Sequence, residues 1–294
     1  MRIIMGMTWK ELMRKRVMVL TLIMTVVFLI GFWFIAGTIG QSSMSHGSSF
    51  PSGEELLIRF TNGLFILSFG FFFGAFVIAF LAIFSSFSAI SGEAEQGVMQ
   101  ALLPRPIPRW KWYAGRWLGY VTLGIGYALI LFVSILLITQ AHTAIPRDGL
   151  ALFKSFLLFS SIVPLLITVS MLGSGFFSAL GNGVFMTMLY GAGWLGGMID
   201  KVSSSLLSKP EALSTLNNMT GIMSLLMPVD GLQRRMTAEL FSINEMNGMF
   251  NASNSLFGLD NFTSVPSNSF IVYAIFYTLI AFLIGLYRFQ RKDL

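Results

Sequence analysis

Long apolar stretches, seldom interrupted by charge, decide what this chain can become. Runs without Asp, Glu, Lys or Arg occupy 17–53, 60–92, 117–146 and 155–199, and another includes 268–287. A bilayer core about 30 Å thick is crossed by roughly 20 apolar residues in a helix. Helices satisfy their own backbone where no water can do so. Only 11% of the 294 residues are charged, less than half the ~25% of a soluble domain. Mean hydropathy is +0.75. This composition excludes a disordered chain, a nucleic-acid-binding domain and a soluble enzyme. The net charge of +6 is scattered among apolar runs and reads as inner-leaflet charge rather than as a DNA-binding face. With no cysteine, there is no disulfide framework, thiol nucleophile or Cys-ligated metal.

The runs resolve into six spans, at 17–39, 62–90, 117–139, 151–178, 184–199 and 268–287. The run 155–199 holds two of them. Its break lies between Gly173-Ser174-Gly175 and Gly181-Asn182-Gly183, where glycine makes a turn cheap. Lys and Arg near helix ends set orientation. With both termini cytoplasmic, 12 basic and 4 acidic residues lie inside, and 7 basic and 9 acidic residues lie outside. The reverse orientation would expose the basic excess. The first span reads as an uncleaved signal-anchor, and every Asp, Glu, Lys and Arg is expected outside the membrane core.

Three segments outside the spans carry more information. In 1–16, Met5, Trp9, Leu12 and Met13 fall within an arc of about 100° on a helical wheel, opposite Lys10, Glu11, Arg14 and Lys15. Such a helix lies in the headgroup plane with Trp9 as its anchor. The loop 91–111 places Glu93 and Glu95 near a helix start. Met99, Leu102 and Leu103 then form an apolar stripe, followed by Pro104, Pro106 and Pro108. A short helix below the membrane with exposed apolar side chains asks for a protein partner, or else lies against the membrane or the chain's own spans. The region 201–267 is polar, rich in Asn and Ser, and expected outside.

The loop resembles the signature of type-2 permeases of the ATP-binding-cassette (ABC) superfamily. The matching residues are Glu93, Glu95, Gly97, Leu102, Leu103, Arg105, Pro106, Ile107, Arg109, Gly115 and Arg116. Val98, Pro104, Pro108 and Arg116 depart from the pattern. Ser224 to Asp230, ahead of Arg234 and Arg235, and the ending Phe289 to Leu294 are similar to the same family. The resemblance implies an all-α integral membrane protein in one domain, 1–294, with an interfacial helix, six spans and small outer helices over the exit. It also implies a half-transporter in a bacterial plasma membrane. Two permease chains, identical or paralogous, would be driven by two cytoplasmic ABC ATPase subunits, and ATP and Mg would be held on those subunits. Segment 91–111 would be the coupling helix, with Glu93, Glu95, Gly97, Met99, Leu102, Leu103, Arg105, Pro106 and Arg109 at the ATPase.

Other chemistries have less behind them. The chain has no G-x-x-x-x-G-K-[ST] loop, and its two histidines, His46 and His142, are too few for a metal centre. An ion-coupled carrier usually keeps ionisable groups at membrane depth, which the span assignment does not provide. A membrane anchor that recruits a cytoplasmic protein would also use 91–111. It would have less need of the small-residue pairs Gly70/Gly74, Gly115/Gly119 and Gly193/Gly197, which let helices approach closely. Pro164 marks a kink in the fourth span. Phe65, Phe69, Phe72 and Phe76 line one side of the second span, as an apolar translocation surface or as lipid-facing packing. The reading is an exporter permease that is not itself an enzyme.

Overall fold

The computed structural model describes residues 1–42, 53–95, 108–143, 148–206, 210–241 and 266–291. The helices are α1 (Arg2–Arg14), α2 (Arg16–Ser42), α3 (Gly53–Ser86), α4 (Ser91–Glu95), α5 (Arg109–His142), α6 (Gly149–Ser174), α7 (Ala179–Leu206), α8 (Pro210–Leu226), α9 (Val229–Leu240) and α10 (Asn268–Arg291). Among the described residues there is no strand. The protein is an all-α, multi-pass membrane protein. Five segments are long and apolar enough to cross a bilayer: Arg16–Gly40, Asn62–Glu95, Arg109–His142, Gly149–Ser174 and Asn268–Arg291. The predicted fifth span, 184–199, lies inside α7 and is not among these five. It is short and carries Gly191, Gly193, Gly196 and Gly197.

The predicted break in 155–199 falls at residues 175–178. The fourth span therefore stops at Ser174 rather than Ser178, because Ser178 already belongs to the next helix. Its Oγ accepts from Gly181 N–H at 3.3 Å, as an N-cap does. At the other end of α6, Asp148 caps by accepting from Leu150 N–H at 3.0 Å. Between α1 and α2, Lys15 takes an extended backbone (φ −71, ψ 139) that turns the chain from one helix into the next.

Lipid solvates apolar side chains as well as a protein core does, so close packing must hold the bundle together. α3 packs on α2, α5 and α6, while α6 also packs on α5, α9 and α10. At the centre, Phe71 of α3 meets Phe132 of α5 and Phe159 of α6, with ring centroids 5.0 and 5.3 Å away. All three small-residue pairs are contact points. A Cβ at Gly70 would lie 2.6 Å from Phe32 Cζ, and one at Gly119 only 2.7 Å from Thr8 Cβ. Met227 and Asp230 sit over Gly193 and Gly197. Hydroxyls within the helices turn back to carbonyls one turn earlier, as Thr21 does to Val17, Thr139 to Ile135 and Thr278 to Ala274, and so stay satisfied where water is absent.

The segment that carries α8 and α9 packs closely on α10. Tyr273 and Tyr277 of α10 donate to the carbonyls of Leu225 and Leu226 at 2.7 and 3.0 Å. Tyr277 sits nine residues into α10, about 13 Å along its axis. The turn at Met227 and Pro228, which joins α8 to α9, therefore packs against α10 more than two turns from its start. Asp230, 7% exposed, enters the packing with it. It does so beside Arg234, whose Nε donates to its Oδ2 at 2.6 Å, so the pair enters without net charge.

The two ends of the bundle are distinct. α1, α4, the start of α5, the α6–α7 turn and the last turn of α10 meet at one end, through the contacts described below. At the other, Ser155 donates to Met236 O at 3.3 Å, and Arg235 donates to Asn268 Oδ1 at 2.8 Å. His142 also lies there, edge-on to Trp33 at 4.7 Å. Its Nδ1 is 2.9 Å from Ile138 O, an ordinary helix-end arrangement. His46 lies outside the described residues.

Candidate functional site

Segment 91–111 is the part of the chain whose sequence asks for a partner. Of its singled-out residues, Glu93, Glu95 and Arg109 are described. Gly97, Met99, Leu102, Leu103, Arg105 and Pro106 lie outside the described residues. The flanks of the segment show how it is built into the bundle.

Its entrance is fixed by backbone capping. Ser174, at the end of α6, accepts from the N–H groups of Ile90 and Ser91, each at 3.0 Å. Asn182 of α7 donates from Nδ2 to Phe87 O at 2.7 Å and to Ser170 O at 2.9 Å. Glu95 accepts from Ala179 N–H at 3.0 Å, placing a carboxylate at the N-terminus of α7, where the helix dipole favours it. The Gly-Ser-Gly stretch thus serves as a cap for the entrance, and its serine is fully engaged in that role. The exit is fixed on the last span. Arg109 donates from Nη1 to Gln290 O at 3.0 Å, and Trp112 stacks on Phe289 with centroids 5.1 Å apart.

Between entrance and exit stands Arg116 of α5, only 5% exposed. Its Nη1 and Nη2 donate to Glu11 Oε2 of α1 at 2.9 and 3.0 Å. Nη2 also pairs with Glu93 Oε1 of α4. Its guanidinium plane lies 5.1 Å from the Trp112 ring centroid, and Lys15 completes the cluster by pairing with Glu11 at 2.9 Å. A guanidinium can serve two carboxylates at once because its donors form a flat fork. One buried cation therefore joins the N-terminal helix, the third span and the entrance of the loop.

The wheel groups Met5, Trp9, Leu12 and Met13 as the apolar face of α1; the residues buried against the protein are Thr8 and Leu12, and Trp9 and Met13 stay on the exposed side. Two contacts set this docked face. Gly115 and Gly119 open a shallow groove that takes Ile4 and Thr8, and Arg116 draws in Glu11. Trp9 still anchors, but to protein. Its Nε1 donates to Gly119 O at 3.1 Å and Thr122 Oγ1 at 3.0 Å. Lys10 and Arg14 are exposed, free to meet headgroups.

The second-span phenylalanines split between surface and contact. Phe65 and Phe76 are exposed, and Phe69 and Phe72 are half-buried. Phe72 faces Trp194 of α7 at 5.7 Å, and Phe76 faces Tyr190 at 6.1 Å. Phe69 meets Phe73 at 4.7 Å. The surface is thus aromatic and shared by α3 and α7. Among the described residues no group of His, Cys, Asp and Glu could hold a metal ion.

Sequence reasoning missed the centre of this site. Arg116 was visible only as a departure from a family motif, and Glu11 only as part of a polar face. The available signal was Arg116 itself, a cation set one residue before an apolar run. The gathering of both termini beside the 91–111 flanks agrees with the charge-based topology, in which these three segments share one side.

A search of curated proteins finds no significant match. The family model for ABC-2 family transporter proteins matches residues 4–294. The match includes the loop, α8, α9 and all the spans, so this chain is a member of the ABC-2 transporter family, a membrane component of transport.

Proposed function

We propose that the chain is the permease subunit of an ABC exporter, with six spans and both termini cytoplasmic. It would work as one of two permease chains, driven by two separate ATPase subunits that hold the ATP and Mg. The observation that carries this reading is the mounting of 91–111. Its entrance is bound to α1 and α5 through Glu93 and Arg116, and its exit to α10 through Arg109. A topological loop needs no such attachments, whereas a segment that receives force must be fixed to the elements it moves. Glu93 and Glu95 act in this reading as inward-facing attachments. Gly97, Met99, Leu102, Leu103, Arg105 and Pro106 would meet the ATPase, and α7 would supply the sixth span.

A single bundle whose centre is filled by Phe71, Phe132 and Phe159 leaves little room for cargo. A pathway between two copies, along the aromatic surface of α3 and α7 with Phe65, Phe69, Phe72 and Phe76, would suit apolar cargo. Replacing Leu102 and Leu103 by Asp should abolish co-purification of the ATPase while leaving the bundle folded, because charge would enter an apolar contact. Undiminished co-purification would refute the coupling role. Mass measurement of active particles in nanodiscs should give two permease chains, and one chain per ATP-hydrolysing particle would refute the paired arrangement.

A further inference from the structure

On the side formed by α5, α6 and α10 lies an apolar groove of about 460 Å³, within the ~300–1,000 Å³ of small-molecule sites. Trp117 and Phe282 form its inner end, Leu157 and Ile271 its outer end, and Pro164 part of its floor. Ile275 and Leu279 leave one side open, since both are more than half exposed. The groove spans Ile271 to Phe282 of α10, about 16 Å of helix. It begins three residues inside the end of α10 opposite the chain termini and runs just past the midpoint of that helix. An acyl chain has this length, this polarity and this direction of entry.

The outer rim supplies a charge. Leu157, Leu158, Ser161 and Leu165 of α6 line the groove, and Lys154 continues their stripe one turn outward at helical spacing. Lys154 is exposed and has no hydrogen bond or ion pair among the described residues. Helical side chains lean toward the helix N-terminus, which for α6 is this same outer end, so the ammonium reaches toward headgroup depth. The charged neighbours on facing elements are already engaged. Asp148 caps α6, and Arg235 of α9 pairs with Glu239 at 2.7 Å and with Asn268. A cation at the head of an apolar channel about 16 Å long complements an anionic headgroup on an acyl chain.

We propose that this groove holds one phospholipid of the leaflet opposite the termini, with an acyl chain between α6 and α10 and its phosphate on Lys154. The site lies away from the α3–α7 surface and does not depend on the chain's role in transport. Native mass spectrometry of the purified chain, titrated with phosphatidylglycerol, tests it. Wild type should retain one tightly held lipid, and Lys154→Gln should weaken that binding about fivefold. Thr278→Phe, which fills the groove from a half-exposed position, should abolish it. Diacylglycerol, which has the chains but no phosphate, should bind wild type and Lys154→Gln equally weakly, and inorganic phosphate alone should not bind. Unchanged retention in Lys154→Gln would overturn the headgroup contact. Unchanged retention in folded Thr278→Phe would overturn the groove.

Discussion

Replacing Arg116 with Met removes the cation that three elements share, and the structure sets the size of the effect. Arg116 is 5% exposed, while the side chains of its partners Glu11 and Glu93 are 39% and 16% exposed. Removing one member of a buried pair costs about 3–5 kcal/mol, because the charge left behind is uncompensated. Glu11 can regain water and Glu93 largely cannot, which favours the lower figure, about 3 kcal/mol. Detachment of α1 from α5 should then become roughly 100-fold more frequent. Hydrogen exchange of the α1 amides, measured by mass spectrometry in nanodiscs, reads this directly. Glu11→Gln, at a half-exposed site, should cost only about 0.5–1 kcal/mol. The sharpest test is a reversal of sign. Glu93→Gln should lower the melting temperature of the wild type but raise that of Arg116→Met, where it removes an uncompensated buried carboxylate. Simple addition of the two losses would refute the shared-cation account, as would an Arg116→Met protein with unchanged α1 exchange.

Two further outcomes are expected. Gly119→Val should lower the melting temperature, since a Cβ there stands 2.7 Å from Thr8 Cβ and overpacking costs about 1–3 kcal/mol; Gly126→Ala, with nothing within 4 Å, should not, and equal melting of the two would refute the contact. Cysteines placed at Ser45 and Ser253 should react with an impermeant thiol reagent in whole cells and one at Gln96 should not; labelling at 96 from outside would reverse the orientation.

The helical bundle was legible because bilayer thickness imposes one length on every crossing, and runs such as 17–53 and 117–146 have no other solution in lipid. The glycine pairs were legible as spacing, and each proved to be a contact. What escaped were features set by groups distant in sequence. The face that α1 presses on the protein depends on Gly115, Gly119 and Arg116, more than a hundred residues away, so a wheel drawn on 1–16 alone shows its apolar face but not its docked one. The packing of the α8–α9 turn on α10 escaped for a similar reason. Asp230 and Arg234 look like surface charges until their i,i+4 pairing and the tyrosines of α10 show how they enter the bundle together. Ser174 gave no hint of its purpose, because its partners are backbone amides at Ile90 and Ser91, which sequence cannot display.

The bond from Arg109 to Gln290 has a consequence for how the protein is made. Its two partners are 181 residues apart, so Gln290 leaves the ribosome well after Arg109. At about 5–20 residues per second, the exit of the 91–111 segment waits roughly 10–40 s after its own synthesis before its second attachment exists. Throughout that interval the entrance is already held by Glu11 and Arg116, while the exit has no anchor. A nascent chain that has not yet made α10 therefore lacks the Arg109 contact that fixes the exit of this segment.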